Sequence, residues 1–315
     1  MSFALMAEDV GTSLLQSLRA ISGLKVKADE PLARYTTMKI GGPADYFLDV
    51  DARPALAQAL KLLNAHNVAF CLLGKGSNVL VSDRGLRGAV VRLGDDFKRA
   101  AWREEGGGVA FVEVGAACAM TQLVREAARR GLGGLEFAEG IPGSVGGALY
   151  MNAGAYGSEM EKIVERVEGA TPSGEAVAFR RDELNFTYRD SHLPPGTVVT
   201  AVTMRLEKKD AAEVSTKVRE LVTRRKSSQP AGFPNSGSMF RNPPGDFAGR
   251  LIEAAGWKGR RIGQAQISDR HANFIVNHGG ATAADVKALM DGARAEVKNK
   301  LGVELVPEVR FLGEW

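Results

Sequence analysis

The chain has 315 residues, of which 44% are hydrophobic and 25% are charged, and its formal net charge is +4. This composition excludes a disordered chain, and no apolar run approaches the roughly 18 residues of a membrane span. Basic and acidic residues alternate without a basic block interleaved with aromatic residues, so no nucleic-acid binding is expected.

The N-terminal stretch MSFALMAEDVGTSLLQSLRAI predicts an amphipathic helix through Leu14, Leu15, Leu18 and Ile21. Its early Glu8 and Asp9 are unlike the basic start of a signal peptide, so we expect a cytoplasmic protein. The next elements in order are a strand (ADYFLDV), a helix (ARPALAQALKLLNAH), and the strands VAFCLLG, NVLVSD, GAVVRL, KRAAWRE and VAFVEVGA.

A helix is predicted over 119–131, followed by a glycine-rich segment to residue 157. Strands near 163–171, 175–180 and 197–206 and a helix over 211–226 come next. The last 80 or so residues predict strand, helix (AGRLIEAAG), strand (ANFIVN), helix (ATAADVKALMDGARAEVKNKLG) and strand (ELVPEVRFL). This pattern indicates an α+β protein of two subdomains, 1–97 and 98–228, and a C-terminal α/β domain, 229–315.

Cys71 and Cys118 lie in apolar contexts without metal-ligand spacing, and we expect two reduced, buried thiols. The four histidines are scattered, so no metal site is predicted.

Two glycine-rich loops are candidate binding sites. In the first, Gly74-Lys75-Gly76-Ser77-Asn78, glycine N–H groups can converge on an anion. Val79 replaces the third glycine of a Rossmann fingerprint, and a strand is predicted to follow, so a Rossmann nicotinamide site is disfavoured. From these residues alone, the loop is equally consistent with a phosphate-binding site and with a tight hairpin.

The second loop, GLEFAEGIPGSVGGALYMNAGAYG, has six glycines from Gly140 to Gly157 in one apolar stretch. Glycine weakens helices by about 1 kcal/mol relative to alanine and also weakens strands, so a flat or anionic ligand on this backbone is favoured over a buried turn.

The two loops, followed by LNFTYRDS, NSGSMFRNP and PEVRF in that order, resemble the UDP-N-acetylenolpyruvoylglucosamine reductase (UDP-N-acetylmuramate dehydrogenase) family over residues of about 35 to 312. The resemblance implies an FAD-binding fold of the vanillyl-alcohol-oxidase type in the first two subdomains and a substrate-binding C-terminal domain. It also implies non-covalent FAD, NADPH as co-substrate, and a monomer or weak dimer. Only 43 residues separate LNFTYRDS from NSGSMFRNP, which matches the family's second subtype, without a substrate-covering insertion.

The resemblance assigns the FAD site to the two loops. Its members are Gly74, Lys75, Gly76, Ser77 and Asn78, with Gly140, Ile141, Pro142, Gly143, Ser144, Gly146, Gly147, Asn152, Gly154 and Ala155. We expect a Cβ added at Gly76 or Gly146 to occupy the cofactor's place.

The implied reaction reduces the enolpyruvyl ether of UDP-N-acetylglucosamine. NADPH passes hydride to flavin N5, hydride then adds to C3 of the vinyl group, and charge develops at C2 and its carboxylate. The resemblance assigns Ser238 as proton donor to C2, with Arg189 and a protonated Glu308 stabilising the charge. We expect burial to raise the pKa of Glu308. Substrate contacts are assigned to Tyr188, Arg225, Asn242 and Arg310.

Four alternatives remain. Ser236 is the rival proton donor, and NSGSMFRNP is otherwise only a turn. A flavin oxidase or dehydrogenase of the same fold would act on an alcohol or lactone, and a non-catalytic protein would bind only a flavin or uridine nucleotide.

Overall fold

The computed structural model describes residues 13–315, so the predictions made for residues 1–12 lie outside the described residues. The helices are α1 (13–19), α2 (Arg53–Ala65), α3 (Met120–Arg129), α4 (Val145–Tyr150), α5 (Ala211–Ser228), α6 (Ala248–Ala254) and α7 (Ala283–Leu301). The strands up to the second glycine loop are β1 (Leu24–Pro31), β2 (Pro43–Val50), β3 (Phe70–Leu72), β4 (Val79–Val81), β5 (Leu86–Leu93), β6 (Ala100–Glu105), β7 (Val109–Gly115) and β8 (Leu132–Gly133). The later strands are β9 (Gly154–Ala155), β10 (Ser158–Glu159), β11 (Val164–Ala170), β12 (Ala176–Arg180), β13 (Val198–Lys208), β14 (Arg261–Ile262), β15 (Ala265–Ile267), β16 (Ile275–Asn277) and β17 (Arg310–Leu312).

The chain divides into two compact units. The first contains residues up to Asp29, Asp45–Gly74 and Gly88–Leu221, and the second contains Glu30–Ala44, Lys75–Arg87 and Val222–Trp315. Each unit has its own cluster of buried apolar side chains.

The first unit is built on two sheets. One has the strand order β1-β2-β5-β3, and the larger has the order β12-β11-β13-β7-β6, with β8 paired to β13. Ala110, Val112 and Val114 alternate along β7 and face the core. Helix α3 adds Leu123 and Val124 to the same core. This alternation explains why the sequence pattern predicted β7 correctly.

The second unit combines the sheet β14-β15-β16 with the parallel pair β4-β17. Helix α7 buries Val286, Leu289, Met290, Ala293 and Val297 in its core. The helix begins at a capping box between Thr282 and Asp285 and ends at Gly302, whose φ is +70°.

Several predicted elements are confirmed and others differ. The predicted helices correspond to α2, α3, α5, α6 and α7, and α1 buries Leu14 and Leu18. The glycine-rich segment contains the short helix α4, which was not predicted. The closing strand is shorter than predicted, because Pro307 has no N–H to donate and only bridges Phe240 before β17 begins. The strands β1, β14 and β15 were not predicted.

The two cysteines are free, and Cys118 is buried whereas Cys71 as a whole residue is half-buried, so the prediction of two buried cysteines holds fully only for Cys118. Cys71 is half-buried at strand β3, although burial of its thiol raises the pKa to about 11. Within residues 13–315, no helix has both the length and the hydropathy needed to cross a bilayer. No three His, Cys, Asp or Glu side chains in that range are grouped to hold a metal.

Candidate active site

The second glycine loop is fixed by backbone hydrogen bonds to the end of β7 and the start of α3. The N–H groups of Val145 and Gly146 donate to the carbonyls of Cys118 and Ala116, both at 2.9 Å, and Met120 N–H donates to Gly143 C=O at 3.1 Å. Ser144 caps helix α4 by accepting a hydrogen bond from Gly147 N–H at 3.4 Å. These tertiary hydrogen bonds stabilise a short helix in a segment whose glycines have low intrinsic helix propensity.

The two loops meet at Gly74 and Ser144, both in the first unit. A Cβ on Gly74 would lie 2.6 Å from Ser144 Oγ, whereas a Cβ on the exposed Gly147 would meet only that same Oγ, at 3.5 Å. Pro142, also exposed, lies in the same loop. Gly140 and Gly143 have φ of +73° and +142°, which other residues rarely adopt. A surface with so few side chains fits a flat cofactor such as FAD.

Two of the predicted cofactor glycines have a second explanation within the protein. A Cβ on Gly76 would lie 2.2 Å from Tyr35 O, and its φ is +61°. A Cβ on Gly146 would lie 2.9 Å from Ala116 Cβ. The expectation that these positions specifically report a cofactor contact therefore needs correction, because substitution there disturbs the protein first.

The remaining cofactor candidates lie in varied surroundings. Lys75 is exposed, Ser77 is half-buried, and Ile141 packs against the core of the first unit. Gly154 and Ala155 form strand β9, which pairs with Ser158 and Glu159.

Glu139 is a candidate that the sequence reasoning missed. It directly precedes Gly140 and is 1% exposed. Its Oε1 lies 3.3 Å from Arg125 Nη2, and its Oε2 has no hydrogen-bond partner in the part of the chain that the structure describes. An unsatisfied buried carboxylate oxygen beside the loop suits a hydroxyl or N–H of a bound cofactor. The only sequence signal was an acidic residue within the apolar FAEG.

Arg189 lies in a tight turn from Thr187 to Asp190, where the N–H of each of those two residues donates to the other's carbonyl. Its φ is +64°, an unfavourable conformation for arginine. Its guanidinium carbon lies 4.8 Å from the centroid of the exposed Tyr188 ring, a cation–π geometry.

The Arg189 turn is attached to the second glycine loop inside the first unit. The buried Asn152 donates through Nδ2 to Thr187 O at 3.1 Å and accepts from Glu161 N–H at 3.0 Å. Ser191 donates through Oγ to Tyr150 O at 3.2 Å. Asn152, predicted to contact the cofactor, therefore uses its amide to hold the Arg189 turn.

Ser238 lies in the second unit, in a segment that forms backbone contacts with residues near Phe274 on one side and near Pro307 on the other. Ser238 bridges Phe274, Phe240 bridges Pro307, and Met239 N–H donates to Asn273 O at 2.8 Å. Ser238 is half-buried, whereas the Ser236 hydroxyl is buried and has no hydrogen-bond partner within residues 13–315. A partly accessible hydroxyl suits a proton donor to a ligand better than an enclosed one.

Glu308 lies next to the Ser238 segment. Its N–H donates to Met239 O at 2.8 Å, and its carbonyl accepts from Asn78 Nδ2 at 3.2 Å. Arg310 N–H donates to Asn78 O at 3.0 Å. The structure thus brings together residues of three separate motifs, GKGSN, NSGSMFRNP and PEVRF.

The last two predicted substrate residues have partners within the protein. Asn242 Oδ1 accepts from Ala248 N–H at 3.0 Å at the start of helix α6. Arg225, in the last turn of α5, donates through Nε to Gln229 Oε1 at 3.0 Å. Asn242 therefore has a structural role at the helix start that its motif did not reveal.

Comparisons with known proteins cover nearly the whole chain. Residues 44–180 match the family described as FAD binding domain, and residues 229–312 match UDP-N-acetylenolpyruvoylglucosamine reductase, C-terminal domain. The chain is 45% identical over 290 residues to UDP-N-acetylenolpyruvoylglucosamine reductase 2 of Symbiobacterium thermophilum, with 92% of each chain covered. It is 46% identical over 287 residues to the Heliobacterium modesticaldum reductase, with 90% of each covered.

A solved structure extends the likeness to the fold. The crystal structure of UDP-N-acetylenolpyruvylglucosamine reductase from Thermus caldophilus has a TM-score of 0.77 and 39% identity, covering 92% of this chain and 98% of that one. The predicted α+β FAD-binding fold with an additional C-terminal domain is confirmed, and the protein is an FAD-binding oxidoreductase. The chain belongs to the UDP-N-acetylenolpyruvoylglucosamine reductase family.

Proposed function

We propose that this protein reduces UDP-N-acetylglucosamine enolpyruvate to UDP-N-acetylmuramate, in peptidoglycan precursor synthesis, with NADPH as reductant. The observation that carries the proposal is the placement of Glu308 beside the Ser238 segment, through the hydrogen bond from Glu308 N–H to Met239 O. Family membership supports the substrate, since the relatives are named for it.

Bound non-covalently, FAD would supply hydride-transfer chemistry, accepting a hydride from NADPH and passing it to C3 of the enolpyruvyl group. The two glycine loops would hold it, through Gly74–Asn78, Gly140–Ser144, Gly146, Gly147, Gly154 and Ala155. The exposed Gly147 would let the backbone approach the cofactor closely. Glu139 Oε2 would accept one of the cofactor's hydrogen bonds.

Ser238 donates the proton to C2. A serine hydroxyl, whose pKa is far above 7, is an effective acid only toward a strongly basic carbon, and C2 becomes one when hydride reaches C3. The C=C bond thus becomes a C–C single bond carrying one added hydride and one added proton. The Ser238 oxygen then regains a proton from solvent.

Arg189 and Glu308 stabilise the charge that spreads from C2 into the neighbouring carboxylate. Arg189 is a permanent cation with a planar fork of donors, and its turn and the Tyr188 ring preorganise it. Glu308 fulfils its role when protonated, because only the acid form donates a hydrogen bond. Tyr188, Asn242, Arg310 and Arg225 provide the remaining substrate contacts.

Anaerobic flavin spectroscopy tests this function. We expect NADPH to bleach the yellow enzyme and UDP-N-acetylglucosamine enolpyruvate to restore the colour. After acid precipitation, the flavin should remain in the supernatant. Bleaching by an alcohol would instead indicate an oxidase or dehydrogenase, and a flavin that NADPH leaves yellow would indicate a non-catalytic binding protein. Either result contradicts the proposal.

A further inference from the structure

Arg241 is half-buried, and its guanidinium has no partner among the described residues 13–315. Its Nε is buried without a hydrogen-bond acceptor. Throughout residues 13–315, no carboxylate forms an ion pair with its guanidinium and no aromatic ring stacks on it. Removing a charged donor from water without a partner is unfavourable, so a bound anion would satisfy it.

Other arginines of the second unit show what Arg241 lacks. Arg250 bonds Asp246, and this interaction lowers the pKa of Asp246 to about 2. Arg294 pairs with Glu304 at 2.6 Å, and Arg270 donates to the carbonyl of Ser227 at 2.9 Å. The unit thus supplies acceptors to arginines at its surface while leaving the partly buried Arg241 without one.

The backbone of Arg241 is fixed in the same segment as Ser238. Arg241 N–H donates to Val306 O at 2.9 Å. Phe240, its neighbour, is bonded in both directions to the side chain of the buried Asn273, at 2.9 and 2.8 Å. The Arg241 side chain therefore projects from a rigid strand-like segment, which suits a preorganised ligand contact.

We propose that Arg241 binds the diphosphate of the nucleotide-sugar substrate. The inference rests on the proposed function, because it takes Ser238 as the residue that faces the reacting carbon. Three residues of extended chain separate the backbones of Ser238 and Arg241 by about 10 Å, so the Arg241 guanidinium can contact a part of the substrate other than the carbon that Ser238 protonates. Asn242, the next residue, is also assigned to the substrate.

The diphosphate is favoured over the enolpyruvyl carboxylate for a chemical reason. The proposed function already gives the carboxylate Arg189 and a protonated Glu308. The diphosphate carries more negative charge, and the planar donor fork of arginine matches phosphate oxygens.

The test compares Arg241→Met with wild type in the FAD-loaded protein. UDP is the probe, because it has the diphosphate and lacks the enolpyruvyl carboxylate. Calorimetric titration should show UDP affinity reduced about ten- to hundredfold, the loss expected for a charge-assisted hydrogen bond. The Tm without UDP should stay the same or rise by about 2–4 °C, because a buried unpaired donor has been removed. Arg241→Lys should retain part of the affinity.

Arg250→Met is the matched control, since it removes an exposed arginine of the same unit that already has a carboxylate partner. Its UDP affinity should equal that of wild type. Unchanged UDP affinity in Arg241→Met would overturn the inference, and so would a lowered Tm, which would mark a structural arginine. A higher KM for the enolpyruvyl substrate with normal UDP binding would assign Arg241 to the carboxylate instead and also overturn it. If wild type itself fails to bind UDP, the proposed function fails with it.

Discussion

Arg189 shows most clearly how one residue's conformation relates to its proposed role. A left-handed arginine costs on the order of 1–3 kcal/mol and persists only where its surroundings hold it. Here the hydrogen bonds of Asn152 and Ser191 secure the turn, at 3.1 Å to Thr187 O and 3.2 Å to Tyr150 O. Such a strained cation, stacked on Tyr188, supports the assignment of Arg189 to a developing negative charge.

Gly147→Ala separates a cofactor contact from an effect on folding. The new methyl group meets only Ser144 Oγ at 3.5 Å, and alanine favours helix α4 by about 1 kcal/mol, so the apoprotein should be at least as stable as wild type. FAD affinity should fall about 5- to 100-fold if the cofactor packs on this backbone, as overpacking by 1–3 kcal/mol implies. Fluorescence titration of the apoprotein with FAD measures it.

Gly106→Ala is the control for that experiment, because it lies in an exposed turn with nothing within 4 Å of the new Cβ. Its FAD affinity should not change. Normal FAD binding by Gly147→Ala would remove α4 from the cofactor site.

Cys71 predicts a pH dependence with a defined sign. Burial raises its pKa from 9.0 to about 11, so the folded protein retains the thiol proton that the unfolded chain loses above pH 9. The free energy of unfolding should therefore decrease as the pH rises from 9 to about 11, whereas the contribution of Cys71 is constant below 9.

Thiol alkylation at pH 8, in a Cys118→Ala background, measures the same effect. It should be about 100-fold slower for Cys71 in the folded protein than in urea, in proportion to the thiolate fraction. Equal rates would show that the thiolate is not disfavoured.

At the scale of elements, helices α7 and α4 differ in how far local sequence determines them. Helix α7 was predicted because Thr282 and Asp285 begin it, Gly302 ends it and its apolar residues recur at helical spacing. Helix α4 was missed because Gly146 and Gly147 oppose it, while hydrogen bonds to Ala116 and Cys118 fix it. Long-range bonds of that kind leave no local periodicity.

Gly292→Ala in α7 should destabilise the protein, although replacing glycine by alanine usually stabilises a helix. Helix propensity alone predicts stabilisation by about 1 kcal/mol. However, the new Cβ would lie 2.0 Å from Cη2 of Trp257, so we expect net destabilisation by about 1–3 kcal/mol. Urea unfolding followed by tryptophan fluorescence measures it, and a stabilised variant would show that Trp257 moves at little cost.

At the scale of the whole molecule, the ordered motifs were sufficient to predict the fold and the family, whereas the chemistry at Ser238 stays a proposal. The motifs did not predict which strands pair across long distances in the sequence. Strand β4 pairs with β17, although Val79 and its partner Arg310 are 231 residues apart in the sequence. A division of the chain into consecutive segments at residues 97 and 228 places these two paired strands in different domains. Those boundaries stay a prediction.

The candidate site was also predicted only in part from the sequence. Ser238, Glu308 and Arg189 came from motifs, but the helix-capping role of Asn242 and the unsatisfied atoms of Ser236, Glu139 and Arg241 did not. Which buried polar atom lacks a partner depends on tertiary packing, and residue type alone does not reveal it.

The central claim is that Ser238 protonates C2, and rapid-mixing absorbance of the flavin tests it most directly. Bleaching by NADPH needs no proton at C2, so Ser238→Ala should bleach at nearly the wild-type rate. Reoxidation by the enolpyruvyl substrate should slow by about 10²–10⁴-fold, the usual contribution of a general acid. Ser238→Cys should keep part of the rate, and Ser236→Ala, which removes only an unpaired buried hydroxyl, should reoxidise normally. Normal reoxidation by Ser238→Ala would contradict the claim, and slow reoxidation by Ser236→Ala alone would identify the other hydroxyl as the donor.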